Sequence, residues 1–195
     1  MITQRSARHV LVATTLMLVS LTAYAATWDI DQLMQSLAQI RSDRAIFSEK
    51  KFIAILDRPV ESSGELVYTA PDHLEKRTLK PKPELMILHQ GILTIERGRQ
   101  KHRLQLQDYP ELAAFVDSIR GTLAGDRKAL ERNFQITLDG TAEQWTLNLH
   151  PTNEKIRTVV KNIRIVGERD ALRSIEITQA DGDRSLMLIK KLAGP

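Results

Sequence analysis

The side chains that could do chemistry are spread along this sequence and form no recognisable catalytic motif. Beyond residue 25, histidines stand at His73, His89, His102 and His150, and no two of them have the spacing of a helical metal site. Each falls on a different predicted strand, which is more typical of a rim or core position than of a metal ligand. The sequence therefore predicts no metal site.

The acidic pairs of the chain stand at predicted turns. Asp139 with Glu143, and Asp181 with Asp183, lie at hairpin ends, where acids are ordinary turn residues. The second pair is also too close together for a calcium loop. The sequence has no Gly-x-Ser-x-Gly elbow, no glycine loop for phosphate and no cysteine, which excludes a thiol nucleophile and disulfides. We therefore expect a protein that is not an enzyme and has no cofactor.

The charge balance excludes another class of function. Removing Arg5 and Arg8 from the 28 basic residues leaves 26 against 24 acidic residues, a net charge of +2. The densest basic segment, residues 96–103, is typical of a solvated hairpin tip, and its alternative role is contact with anionic head groups or an acidic partner. Because aromatic residues make up only 5% of the chain, we expect no nucleic-acid partner.

Residues 1–25 have the pattern of a secretory signal peptide. They contain arginines and no acid, then an apolar run over residues 10–23, and end in a small-x-small pattern at residues 23–25. The apolar run is too short for a membrane span, and an uncleaved anchor or a buried helix is the alternative. We expect cleavage after residue 25 and a soluble periplasmic protein whose residues 26–195 form one domain.

Two segments have the periodicity of amphipathic helices. Thr27 or Asp29 can cap the first, and Asp108 is expected to cap the second, which Gly125 ends. The apolar stripe of the first consists of Ile30, Leu33, Met34, Leu37 and Ile40. The apolar stripe of the second consists of Leu112, Phe115, Val116, Ile119 and Leu123.

Alternating apolar residues and turn signals predict about six strands before the second helix and about five after it. Consecutive hairpins imply an antiparallel meander, and so many twisted strands curl toward a barrel. The predicted fold class is α+β and mostly β. The expected inner positions of the last three strands are Ile163, Ile165, Ile175, Ile177, Leu186 and Leu188.

The strands are more apolar than the core of one small domain requires. Residues 85–88 and 186–189 are continuous apolar runs, so these strands are buried on both faces or line something apolar. We therefore expect a hydrophobic cavity closed by the helices. The predicted cavity residues are Leu66, Tyr68, Leu85, Ile87, Leu104, Leu106, Trp145, Ile175 and Ile177. The predicted lid residues are Leu33, Leu37, Leu112, Phe115 and Ile119.

Short motifs in a fixed order complete the pattern. They are Ala45-x-Phe47-x-Glu49, Ser63-Gly64-x-Leu66, Ala70-Pro71, Gln90-Gly91, Ile175-Glu176-Ile177 and Asp181-Gly182. Their order and spacing resemble the LolA family of periplasmic outer-membrane lipoprotein carriers over essentially all of residues 26–195. The resemblance is closer to the short LolA-related proteins than to the lipoprotein carrier itself.

The resemblance implies an incomplete antiparallel β-barrel with a helical lid over a hydrophobic cavity. It also implies a monomeric carrier that takes acyl chains of a lipid or lipoprotein from an inner-membrane exporter to an outer-membrane acceptor. Ala70 stands where the lipoprotein carrier has a lid-holding arginine, and Lys76 stands near a position where the family often has tryptophan. The chain also ends before the carrier's C-terminal segment. Alternatives are a sensor of mislocalised lipid with the same fold and, less favoured by the missing motifs, a hydrolase.

Overall fold

The computed structural model describes residues 28–192, in which one long curved sheet carries a few short helices on its inner face. The expected signal peptide and its cleavage point lie outside the described residues. Within residues 28–192, no helix is both long and apolar enough to cross a membrane.

The elements follow the predicted order of one helix, six strands, a helical insertion and five strands. The first part contains α1 (Ile30–Leu37), β1 (Ser42–Phe52), β2 (Val60–Thr69), β3 (His73–Lys80), β4 (Glu84–His89), β5 (Ile92–Arg97) and β6 (Gln100–Gln105). The insertion contains a 3-10 turn (Leu106–Asp108), α2 (Pro110–Ala124) and α3 (Arg127–Glu131). The last part contains β7 (Phe134–Gly140), β8 (Trp145–Pro151), α4 (Glu154–Arg157), β9 (Val160–Glu168), β10 (Ala171–Gln179) and β11 (Arg184–Lys191).

All eleven strands belong to one antiparallel sheet in the order β6-β5-β4-β3-β2-β1-β11-β10-β9-β8-β7. The first and last strands of the chain are neighbours at its centre, with Ala45 opposite Lys191 and Phe52 opposite Arg184. The sheet ends at β6 and β7, which do not pair with each other, so the barrel is incomplete. This confirms the predicted fold class.

The larger hydrophobic core lies between α1 and strands β7 to β10. Leu33 and Leu37 of α1 are fully buried against Trp145, Leu147 and Ile163. Asp29 caps α1, since its Oδ1 accepts a hydrogen bond of 2.9 Å from the backbone N–H of Gln32. The helix is therefore fixed on this half of the sheet by its whole apolar stripe.

A smaller core lies at the other end of the sheet, under the first turns of α2. Its buried members are Leu88, Leu93 and Leu106, and Leu104 and Leu112 pack against them.

Helix α2 is shaped by the residues at its two ends. The expectation that Asp108 caps it is wrong, because Asp108 belongs to the preceding 3-10 turn and Tyr109 takes the cap position without a side-chain hydrogen bond. Gly125 ends the helix, as predicted, with a left-handed φ of 64°. A Cβ atom at Gly125 would lie 2.1 Å from the carbonyl oxygen of Met34, so glycine lets the end of α2 approach α1.

The predicted inner face of β11 is also wrong. Ile175 pairs with Met187, and Ile177 pairs with Ser185, so Met187 and Ser185 share the inner face with these isoleucines. Leu188 points outward and is 54% exposed. Residues 186–189 are apolar on both sides of the strand, which removes the alternation that would distinguish its faces.

Candidate functional site

A cavity of about 660 Å³ lies between the inner face of the sheet and helix α2. Buried residues of both cores, among them Ile175 and Leu88, contribute to its wall. Its volume is within the usual range for sites that hold a small molecule, and its wall is mostly aliphatic.

The floor of the cavity comes from adjacent strands at the centre of the sheet. Leu66 on β2 pairs with Ala45 on β1, and Met187 on β11 pairs with Ile175 on β10. All four side chains line the cavity because pairing in register puts them on the same face of the sheet. The floor therefore runs without interruption across the pairing of the first and last strands.

Helix α2 forms the roof and has two distinct faces. Ala114, Ser118 and Thr122 are buried, and the hydroxyls of the last two donate to backbone carbonyls within the helix. Apolar side chains on another face of the helix are only half-buried and line the cavity: Leu112, Phe115, Val116, Ile119 and Leu123. This apolar stripe borders the cavity, and its residues also pack against the margins of the two cores.

The cavity collects part of the residue set expected from the sequence. Among the predicted cavity residues, those at its wall are Leu66, Tyr68, Ile175 and Ile177. Among the predicted lid residues, those at its wall are Leu37, Leu112, Phe115 and Ile119. The remaining predicted residues, which do not line it, are Leu33, Leu85, Ile87, Leu104, Leu106 and Trp145.

Leu85 and Ile87 were assigned to the wrong face of β4. Leu85 pairs with Arg77 and Glu96, and Ile87 pairs with Glu75 and Thr94, so their neighbours on that face of the sheet are charged or polar. The cavity is instead lined by the alternate residues of the same strand, Met86 and Leu88.

Leu33, Leu104, Leu106 and Trp145 lie in the packed cores and not at the cavity. Trp145 is 1% exposed, and its Nε1 donates a hydrogen bond of 2.8 Å to the carbonyl oxygen of Arg169. Each of these residues is covered by a helix or by neighbouring side chains.

One charged cluster interrupts the aliphatic wall. Glu49 on β1 is 5% exposed, and its Oε2 atom lies 2.6 Å from Nζ of Lys76 on β3. Hydroxyls of Ser185, at 3.0 Å from Oε1, and Ser62, at 3.3 Å from Oε2, also donate to this carboxylate. Lys51 completes the cluster, with its Nζ 3.9 Å from Oε1. We call these five residues the Glu49 cluster.

Two effects act in opposite directions on the pKa of Glu49. Burial of the carboxylate raises the pKa, whereas the charge and hydrogen bond of Lys76, followed by smaller contributions from Lys51 and Ser185, lower it. The cations and donors outweigh burial, so the pKa lies below its ordinary value. Glu49 is therefore ionised at neutral pH.

Tyr68 is the other polar residue at the wall that is almost fully buried. It is 4% exposed, and its hydroxyl has no hydrogen-bond partner among the described residues. Burial raises the pKa of its phenol, while Arg41 opposes this shift and Asp72 adds to it. Its ring belongs to the apolar floor, and its hydroxyl is left unsatisfied.

The Glu49 cluster was not predicted from the sequence, although a signal for it was available. Ala45, Phe47 and Glu49 alternate along β1, and the first two are apolar residues of the inner face. The same parity puts Glu49 on that face. Lys76 gave no comparable signal, because it reaches Glu49 from a strand that is two places away in the sheet.

The described residues form a cavity that can bind a ligand. Within residues 28–192, no group of three or more histidine or acidic side chains is placed to hold a metal ion. The site consists of an apolar volume with charged groups at its wall, among which Glu49 is the most buried, and it suits a ligand that is largely hydrocarbon.

The sequence profile of one family, described as outer membrane lipoprotein carrier protein LolA-like, matches residues 22–194. No curated protein sequence matches the chain. Solved structures with a similar fold include a LolA superfamily protein from Nitrosomonas europaea, at 9% identity and a TM-score of 0.43, covering 87% of this chain and 96% of that one.

Two further solved structures also have a similar fold at low sequence identity. The MucA/MucB complex of Pseudomonas aeruginosa matches at 13% identity and a TM-score of 0.47, covering 86% of this chain and 59% of that one. LprF from Mycobacterium bovis matches at 11% identity and a TM-score of 0.36, covering 85% of this chain and 93% of that one. The family match spans nearly the whole sequence, and the chain therefore belongs to the family of LolA-like outer membrane lipoprotein carrier proteins.

Proposed function

We propose that the protein is a periplasmic carrier that binds acyl chains of a lipid or lipoprotein in this cavity and moves them toward the outer membrane. The observation that carries the proposal is the aliphatic cavity of about 660 Å³ between the central strands and α2. Membership of a lipoprotein-carrier family supports it.

The physical task of such a carrier is to keep hydrocarbon dry between two membranes. Each methylene that leaves water contributes about 0.8 kcal/mol, so a long acyl chain needs a continuous apolar surface. The floor residues Leu66, Ile175 and Met187 and the roof residues Phe115 and Ile119 supply one. Since the roof is a single helix whose cavity face is half-buried, we expect movement of α2 to admit and release the chain.

An inner-membrane exporter as donor, an outer-membrane acceptor and a monomeric state in solution belong to the same proposal. The direct test is mass spectrometry of an organic extract of the protein purified from periplasm. We expect a lipid in stoichiometric amount. An extract without lipid, from protein that also fails to bind added acyl chains, would refute the carrier.

A matched pair of variants tests whether the cavity holds the lipid. Leu66→Glu puts a charge on the cavity floor, whereas Leu85→Glu puts the same charge on the opposite face of the sheet. We expect Leu66→Glu to abolish lipid loading and Leu85→Glu to preserve it. Equal loading of both variants would place the lipid elsewhere. Tight binding of a protein partner by a lipid-free cavity would favour the alternative, a sensor of mislocalised lipid.

A further inference from the structure

The Glu49 cluster is not what a purely hydrocarbon ligand requires. Two charged groups in an aliphatic wall carry a desolvation cost, and replacing such a pair with apolar side chains of similar size is often neutral or stabilising. In a cavity for acyl chains alone, leucine and methionine in place of Glu49 and Lys76 would avoid this desolvation cost. The presence of Glu49 and Lys76 on the floor therefore calls for a ligand with a polar group.

The free hydrogen-bonding capacity of the cluster belongs to its two lysines, of which Lys76 is the more enclosed, with a side chain 24% exposed against 53% for Lys51. The carboxylate of Glu49 already receives donors from Lys76, Ser62 and Ser185. An ammonium group has three N–H donors, and in the described part of the chain that of Lys76 donates only one hydrogen bond, to Glu49. Its side chain is 24% exposed and lines the cavity.

The position of Lys76 is fixed by its surroundings. Its Nζ atom lies 4.9 Å from the centre of the Phe47 ring, a cation–π contact that holds the ammonium against the floor. In the sheet, Phe47 pairs with Gly64, where an added Cβ would lie 1.9 Å from the carbonyl oxygen of Arg77 and 3.0 Å from the Phe47 ring, so glycine lets β3 and this ring approach closely. The ammonium is thus held in place with part of its surface directed into the cavity.

Charge is distributed unevenly along the cavity. At one end, Lys51 and Lys76 face the single carboxylate of Glu49. At the other end, two carboxylates lie near the ammonium of Lys191. Its Nζ atom is 3.2 Å from Oδ2 of Asp43 and 3.7 Å from Oδ2 of Asp170. Glu49 and Asp43 lie on the same strand about 20 Å apart at the usual rise per residue. Glu75 and Glu111 also line the cavity, so an anionic group is attracted by the local cations of the Glu49 cluster and not by the net charge of the whole cavity.

We propose that Lys76 binds the anionic head group of a single-chain amphiphile whose tail lies along the aliphatic floor. The head group is a carboxylate, as in a fatty acid, or a phosphate monoester, both of which accept hydrogen bonds from an ammonium. This inference rests on the proposed carrier function and narrows its cargo to acyl chains with an acidic end.

The test compares three ligands with the same tail: dodecanoate, dodecyl phosphate and dodecanol. Their binding at pH 8 is measured by displacement of the uncharged dye Nile red. A charge-assisted hydrogen bond in a shielded site predicts that at least one anion binds roughly tenfold or more tightly than dodecanol. The tighter of the two anions identifies the head group.

Variants assign the preference to Lys76. Lys76→Gln should remove the preference for the anion over dodecanol. The control Lys190→Gln changes an exposed lysine outside the cavity and should keep that preference. Glu49→Gln keeps the ammonium and removes its competing carboxylate, so the preference should rise. If Lys76→Gln does not fold, the double variant Glu49→Gln/Lys76→Gln replaces it, because that variant leaves no unpaired charge.

The outcomes separate this inference from the proposed function. Equal binding of anion and alcohol by the unmodified protein, or a preference that survives in Lys76→Gln, overturns the inference and leaves the carrier intact. A fall in preference in Glu49→Gln also overturns it, since that result indicates a purely structural ion pair. Failure of all three ligands to displace the dye overturns both.

Discussion

Removing Lys76 should destabilise the protein mainly through the charge that it leaves behind. In Lys76→Gln, the carboxylate of Glu49 stays 5% exposed and keeps only the hydroxyls of Ser62 and Ser185 and the distant ammonium of Lys51. Breaking a fully buried pair in this way costs about 3–5 kcal/mol. Because Lys76 is 24% exposed, we expect about 2–3 kcal/mol of lost unfolding free energy.

The double variant distinguishes this mechanism from a simple loss of contacts. Glu49→Gln should cost about 1–2 kcal/mol, since its amide oxygen still accepts from both serines. Glu49→Gln/Lys76→Gln should cost no more than about 1–2 kcal/mol, because no charge is left unpaired. The measurement is urea unfolding followed by the fluorescence of Trp145, which is buried in the larger core. If the costs of the two single variants add up to the cost of the double variant within about 0.5 kcal/mol, the coupling between Glu49 and Lys76 is refuted.

The pH dependence of stability gives an independent check on the same pair. The folded-state pKa of Glu49 is below its ordinary value of 4.5, so its stabilising contribution is complete above 4.5 and is lost as pH falls through the folded pKa. The difference in unfolding free energy between the unmodified protein and Lys76→Gln should therefore be largest at neutral pH and decrease on acidification. A difference that stays constant from pH 7 to pH 3 would contradict this prediction.

Three further substitutions test other parts of the structure by the same unfolding assay. Tyr68→Phe removes a buried hydroxyl without a described partner, and we expect stability that is unchanged or up to about 1 kcal/mol higher; a loss above 1 kcal/mol would reveal a missing partner. Gly125→Ala should cost more than about 1 kcal/mol, because φ is 64° and the new Cβ meets the Met34 carbonyl; a neutral effect would exclude this close approach. Gly167→Ala should cost several kcal/mol, because its Cβ would lie 2.0 Å from the Trp145 ring, and retained stability would show that the ring can move.

The order of elements and the antiparallel sheet could be predicted because they depend on local signals. Turn residues such as Asp181 and Gly182 and the alternation in strands such as β10 are visible in a window of a few residues. The faces of β4 and β11 could not be assigned, since both have apolar residues on both sides. For such strands, the inward face depends on pairing across the sheet.

The sequence also could not predict which inward-facing residues lie in a core and which line the cavity. Trp145 and Ile175 have the same inward-facing pattern, yet α1 covers the sheet near Trp145, while Ile175 lines open space. Which inward residues stay uncovered depends on the curvature of the sheet and on where the helices lie, and neither is encoded in periodicity. The ion pair of Glu49 and Lys76 could not be predicted for a similar reason, because it joins β1 and β3, which are not neighbours in the sheet.

The pairing of β1 with β11 has a consequence for how the protein folds. Strands β1 to β6 and strands β7 to β11 can each form from local hairpins, but they join only where the first strand meets the last, as in the hydrogen bond from Ser185 to Glu49 across 136 residues. Closing so long a loop is slow compared with hairpin formation. Until it happens, β1 and β11 are both exposed edges with apolar residues, which favours aggregation. We therefore expect the joining of the two halves to limit the folding rate, and a chaperone that shields either edge to raise the yield of native protein.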